Sequence, residues 1–168
     1  MRLFFALWPD EDARDALAAL ARDVALVADG KPTPPGKIHL TLAFLGEVAH
    51  RRSEAVAAAR EVRGAPFALK LDRVGSFRRA KVAWAGASAA PRALIDLQEA
   101  LAERLAARGF VLEERDFAPH LTLARRIAKA LPFASIPAIA MRASALALVA
   151  SETRTGRYTT LETWPFTS

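Results

Sequence analysis

His39-Leu40-Thr41-Leu42-Ala43 recurs as His120-Leu121-Thr122-Leu123-Ala124, eighty-one residues further on, in a chain of 168 residues. The offset is close to half the chain, which predicts two related halves, each giving one strand to a shared site. In an extended strand, residues i and i+2 point to the same side. His39 and Thr41 therefore face one way while Leu40 and Leu42 pack inward, and His120 and Thr122 repeat the pattern against Leu121 and Leu123. Set beside each other about a pseudo-two-fold axis, the strands bring two imidazoles and two hydroxyls to one cavity.

That set suits phosphodiester hydrolysis. One imidazole takes a proton from water and the other gives one to the leaving oxygen. Histidine serves both roles because it titrates near neutrality. The hydroxyls donate hydrogen bonds to the non-bridging oxygens, where charge accumulates. A single His-x-Thr on a strand says little, since threonine favours strands and half-buried histidines are common. Two copies say more, because packing alone accepts many polar–apolar alternations and does not demand the same pair twice. The third histidine, His50, stands in the polar run Ala49-His50-Arg51-Arg52 and reads as solvated surface.

Outward from the motifs, strands and helices mix without strict alternation, which predicts an α+β fold. Arg2 to Trp8 reads as an apolar strand. Asp10 caps a helix that buries Ala13, Leu17, Leu20, Ala21 and Val24. Gly30 to Gly36 is an irregular loop, and Ile38 to Leu45 is a strand ending at Gly46. Ser53 is the expected cap of a second helix, through Ala55, Val56, Ala59 and Val62 to Gly64. Phe67 to Val74 and Val82 to Gly86 are strands joined by a turn carrying Arg78, Arg79 and Lys81. Pro91 opens a helix lined by Leu94, Leu97, Leu101 and Leu105 and closed by Gly109. Strands follow at His120 to Leu123, Ala138 to Val149 and Tyr158 to Trp164. One compact domain over residues 1–168, or two small lobes sharing a core, is expected from this length.

Composition narrows the classes. There is no cysteine, so disulfides, thiolate nucleophiles and cysteine zinc sites are excluded, and a reducing cytoplasm is compatible. The opening apolar run stops at Trp8 before Asp10, Glu11 and Asp12, with no small-residue cleavage site, and reads as a strand rather than a signal peptide. No stretch is long enough and free enough of charge to span a bilayer, so no membrane partner is expected. The net charge of +6 favours anionic partners such as nucleic acid, although 19 of the 24 basic residues are arginine, which also fits a biased genome composition. Arg51-Arg52, Arg78-Arg79-Lys81 and Arg125-Arg126 could follow an RNA backbone or simply be solvated.

A metal centre is the chemical rival. A catalytic zinc site usually takes three protein ligands. No second histidine or carboxylate lies within either pentapeptide, and Asp116, near His120, has no equivalent before His39. Two further motifs lead nowhere. Lys70-Leu71-Asp72-Arg73 begins like a nucleotidyl-transferase motif but has Arg73 where glycine is needed, and Gly36-Lys37 lacks the Ser or Thr of a phosphate loop.

At these residues the chain resembles the two-histidine (2H) phosphoesterase superfamily, in its branch of RNA 2′,3′-cyclic phosphodiesterases, also called 2′-5′ RNA ligases. The resemblance runs through Arg2-Leu3-Phe4-Phe5-Ala6-Leu7, Ile38 to Glu47, Phe117 to Arg125, Ser151, and Gly156 to Pro165. It departs from the family's pattern at Pro34-Pro35-Gly36-Lys37. The resemblance implies a bilobal fold with two antiparallel sheets facing a central groove and helices outside. It implies hydrolysis of a terminal 2′,3′-cyclic phosphate to a 2′-phosphate, with no metal or other cofactor. By analogy His39 protonates the departing 3′ oxygen and His120 activates water, Thr41 and Thr122 bind phosphate, and Phe44 and Arg125 sandwich the terminal base. Phe44 and Arg125 each lie five residues after a histidine, an odd offset that a flat strand would turn away; a bulge, strong twist or strand end near Gly46 and Arg126 is then required. Core packing is the other reading of Phe44.

The expected partner is RNA with a 2′,3′-cyclic phosphate end, or a cyclic nucleotide, met by a cytoplasmic monomer. A sibling hydrolase acting on a small cyclic nucleotide or a 2′-5′ linkage, and a non-catalytic RNA-binding module, stay open. A binding module needs no paired acid and base.

Overall fold

The computed structural model describes residues 1–167. Its elements, in chain order, are β1 (Arg2–Leu7), α1 (Glu11–Ala28), β2 (Lys31–Pro32), β3 (Leu40–Gly46), α2 (Arg52–Arg60), β4 (Phe67–Phe77), β5 (Val82–Gly86), α3 (Arg92–Ala107), β6 (Leu121–Arg125), β7 (Ser135–Ala143), β8 (Ala145–Ser151) and β9 (Tyr158–Pro165). The class is α+β, with every strand pairing antiparallel.

Strand order is β7-β4-β5-β6-β3-β1-β8-β9, with β2 also pairing β6. The order is balanced about its centre: four strands lie on each side of the β6–β3 junction, and each motif strand has its own flanking set. Instead of the two separate sheets expected, hydrogen bonding makes one continuous path, joined at the middle by the single residue pair Leu40↔Leu121. Beyond that pair β3 follows β1, whereas the edge of β6 is taken by β2 through Lys31↔Arg125 and Pro32↔Ala124. The centre of the sheet is therefore pinched.

Among the described residues there are three α-helices, and all cover the same face. Leu3, Phe5, Leu7, Leu40, Leu42, Leu121 and Leu123 join the helical residues Leu17, Ala21, Val24, Ala55, Leu94, Leu97, Leu101 and Leu105 in one buried core. Asp10 caps α1 by accepting from the Ala13 amide, and Asp29 ends it in the left-handed conformation. The leucine stripe of α3 is buried as its spacing requires, and Gly109 turns the chain with φ of 82°. Among the described residues, the opposite face carries a small apolar cluster, Phe4, Ala6, Ala147 and Val149, with Trp8 and Tyr158 packed against it. That face is left for the site.

Local details depart from the sequence expectations. Ser53 lies inside α2, whose cap position is held by Arg51 with no side-chain cap bond. The run expected over Ala138 to Val149 is two strands: β7 pairs β4 at one edge, and β8 pairs β1 and β9 in the other half, so the chain must change neighbours at Ser144. Asp72 of the false nucleotidyl-transferase motif anchors the turn after β5, accepting from the Ser88 amide at 2.8 Å and hydroxyl at 2.6 Å. Those bonds hold its carboxyl below the usual carboxylate range.

Candidate active site

Antiparallel pairing of Leu40 with Leu121 sets His39 across from Thr122 and Thr41 across from His120. The leucines point into the helix-covered core, so the four polar side chains project together from the open face. They line one cavity of about 250 Å³ with Phe44, Arg125, Arg2, Phe4, Ser151 and Tyr158. All six residues singled out from the sequence meet there.

The odd offset of Phe44 and Arg125 has a backbone cause, repeated in both halves. Partners of β3 run Ala6↔Thr41 and then Phe5↔Ala43, skipping Leu42. Partners of β6 run Trp84↔Thr122 and then Ala83↔Ala124, skipping Leu123. One extra residue in each strand is a β-bulge. Leu42 and Ala43 both enter the core in consequence, as do Leu123 and Ala124, and the next side chain returns to the histidine face. These bulges stand three residues after each histidine, inside the motifs. Near Gly46 the expected irregularity is also present, since Leu3↔Gly46 and Phe4↔Phe44 skip Leu45, and the two strands end at Gly46 and Arg125, with Gly46 and Arg126 at positive φ. Phe44 is 45% exposed and lines the cavity, which excludes core packing as its role.

Both imidazoles are oriented by one device. His39 Nδ1 donates to the Lys37 carbonyl at 2.7 Å, and His120 Nδ1 donates to the Ala118 carbonyl at 2.8 Å, in each case two residues upstream. A carbonyl only accepts, so the proton is fixed on Nδ1 and Nε2 is left as the ring atom able to exchange a proton. At His39 that nitrogen accepts from the Thr41 hydroxyl at 2.9 Å.

The surroundings differ. His39 packs against Phe4, Trp8 and Tyr158, with ring centroids 4.9, 5.6 and 5.7 Å away. Burial there pushes its pKa below the ordinary imidazole value; the Lys37 carbonyl opposes this, and the positive charges of Arg125 and His120 add to it. His120 meets one aromatic ring, Phe77, edge-on at 5.1 Å. Two guanidinium groups, Arg2 and Arg125, make the cavity cationic, and Arg2 has only a loose ion pair with Glu47 at 3.9 Å. Among the described residues, no cluster of three or more histidine, aspartate or glutamate side chains is arranged to hold a metal ion.

Arg2, Phe4, Ser151 and Tyr158 were not singled out as site residues from the sequence. Phe4 carried a signal: it alternates with Leu3 and Phe5, so an all-apolar β1 must cover something on its second face. Tyr158 and Ser151 reach the cavity only because β9 pairs β8 through Ser151↔Tyr158, which no local pattern announces. His50 lies outside the cavity, in the 3-10 turn Ala49–Arg51.

Residues 7–84 match the family model described as LigT like Phosphoesterase. The RNA 2′,3′-cyclic phosphodiesterase of Escherichia coli (strain K12) is 34% identical over 99% of this chain and 97% of its own length. The protein of that name from Archaeoglobus fulgidus is 31% identical over 74% of this chain and 72% of its own. Among solved structures, E. coli LigT complexed with 3′-AMP superposes with a TM-score of 0.89 at 33% identity, covering 99% of this chain and 98% of that one. TT0787 of Thermus thermophilus superposes with a TM-score of 0.82 at 32% identity, over the same shares. Fold, repeated motif and near full-length similarity agree, and the chain belongs to the LigT-like phosphoesterase family of enzymes.

Proposed function

We propose that the protein hydrolyses the 2′,3′-cyclic phosphate at the end of an RNA chain to a 2′-phosphate, using His39 and His120 as a metal-independent acid–base pair. The observation that carries this reading is the twinned imidazole setting: each Nδ1 is locked on a carbonyl, so both Nε2 atoms are presented to one cationic cavity with two threonine hydroxyls between them. The relatives' name, RNA 2′,3′-cyclic phosphodiesterase, and the 3′-AMP complex of the E. coli neighbour support the substrate class.

In this reading His120 Nε2 takes a proton from water as the water oxygen attacks phosphorus. The bond from phosphorus to the 3′ oxygen breaks, and His39, protonated on Nε2, gives its proton to that oxygen. The 2′-phosphate remains, and the two histidines have exchanged protonation states. Thr41 and Thr122 donate to the non-bridging oxygens as charge builds. For Thr41 this means releasing His39, which is free to let go once its nitrogen is protonated. Phe44 and Arg125 flank the terminal base, a ring face and a planar guanidinium being suited to stacking. The two halves act as one domain, since the reacting atoms sit on the axis relating them. No cofactor is needed; a monomer in the cytoplasm completes the proposal. Among the described residues, no helix is long and apolar enough to cross a membrane.

The test is incubation with adenosine 2′,3′-cyclic monophosphate and with a cyclic-phosphate-ended RNA, in a strong chelator, assigning the product by phosphorus NMR. A 2′-phosphate is expected from both. A 3′-phosphate, no turnover, or loss in chelator restored by added zinc would each refute the mechanism. The acid has its own check: His39→Ala should retain turnover of a diester with a p-nitrophenolate leaving group, which departs unprotonated.

A further inference from the structure

A second cavity, of about 330 Å³, adjoins the catalytic one; Tyr158 lines both. Its size is at the lower end for ligand sites, roughly 300–1,000 Å³. Trp8, Pro9, Pro35 and Gly36 give it flat, apolar walls, and Arg14 and Thr160 stand at it as polar groups. Trp8 also packs on His39, so the two cavities meet at the catalytic imidazole. The Lys37 ammonium lies 5.1 Å from the Tyr158 ring centroid, over the wall they share. Neither Arg14 nor Lys37 has a carboxylate at ion-pairing distance among the described residues.

Flat walls suit a base, and two uncommitted cations suit phosphates. We propose that this cavity is a subsite for the nucleotide on the 5′ side of the cyclic-phosphate end, its base against Trp8 and Pro35, its phosphate on Arg14, and the phosphate bridging the two nucleotides on Lys37. The inference rests on the cyclic-phosphate reading and extends it: the enzyme distinguishes an RNA end from a free cyclic mononucleotide, which leaves this cavity empty. The basic turn Arg78–Lys81 lies on the other side, beyond Phe77 and His120. It offers charge to an RNA chain too, but the Tyr158 side adds a walled concavity contiguous with the site.

The experiment compares adenosine 2′,3′-cyclic monophosphate with the 5′-phosphorylated dinucleotide pApA ending in a 2′,3′-cyclic phosphate. The wild type should show a KM about tenfold lower for the dinucleotide, equivalent to one stacked base or one charge-assisted bond. Arg14→Ala, and Thr160→Trp to fill the cavity, should remove most of that gap. Mononucleotide turnover should stay within about twofold and serves as the folding control, since neither residue lines the histidine cavity. Equal KM values in the wild type, variants that weaken both substrates alike, or a gap abolished by Arg78→Ala/Arg79→Ala and not by Arg14→Ala would overturn the subsite alone. A wild type inert toward both substrates would overturn the cyclic-phosphate reading and the subsite with it.

Discussion

The two halves of the site share a backbone and differ in what covers it. In both, a histidine donates Nδ1 to the carbonyl two residues upstream, a threonine follows two residues on, and a bulge at the next leucine returns the fifth residue to the open face. In the first half β1 sets Phe4 opposite Phe44, and Phe4, Trp8 and Tyr158 close around His39. In the second β5 sets Val82 opposite Arg125, and only the Phe77 edge reaches His120. Duplication supplies two imidazoles held alike, and unequal covering gives them different surroundings. Burial of His39 works against its protonated form, so in the proposed acid role the negative charge of a bound phosphate has to offset what burial removes.

The sharpest way to break the comparison is to remove either imidazole. His39→Ala and His120→Ala should each lower turnover of a cyclic-phosphate substrate by roughly 10²–10⁴-fold, and the double variant should fall little further, because the pair works as a unit. RNA affinity, followed by fluorescence anisotropy, should hold; a single variant near wild-type rate would show that the halves are not partners. Next come the hydroxyls. Thr122→Ala should lose about 10²-fold in kcat. Thr41→Ala should lose several-fold less, since its resting bond to His39 has to be broken before the hydroxyl can serve the phosphate. Equal losses would erase that asymmetry.

Burial is tested by titration. His39 is held below the ordinary imidazole pKa by desolvation first and by Arg125 and His120 after it. Phe4→Ala admits water and should raise that pKa, so His39 stays protonated to higher pH; Arg125→Gln should raise it less. Proton NMR of the His39 ring reads both, and an unmoved or lowered midpoint in Phe4→Ala would mean that burial is not the cause. The smallest effect is expected from Phe77→Ala, a few-fold change in rate with the His39 midpoint unchanged; a shift there would show that the two coverings are coupled.

Much of this was legible in the residues. Histidine–threonine spacing on two alternating strands is enough to put four side chains on one face, and the leucine stripe of α3 and the Asp10 cap follow from helical geometry. The irregularity beside Gly46 was legible, but the bulges at Leu42 and Leu123 were not. Leu42-Ala43 and Leu123-Ala124 look like ordinary strand, and only the neighbouring strands' register reveals that one residue is extra. The same holds for Ser144, where a strand-like run broken only by Arg142 and Ser144 itself changes partners, and for Ser53, where good cap chemistry lost to a helix already begun at Arg52. Nor could local pattern show that β3 and β6 meet at one residue pair, since that is a fact about what lies beside each strand.

A motif that carries its own frame change is a self-contained part. Any antiparallel neighbour able to accept one unpaired leucine receives, in six consecutive residues, an imidazole, a hydroxyl and a cavity wall, all on one side. Straightening the bulge with every residue kept would drive Phe44 or Arg125 into the leucine core, whereas deleting the leucine would leave them outward and remove one core side chain. The same pentapeptide at a second place on the sheet lines the opposite side of the cavity.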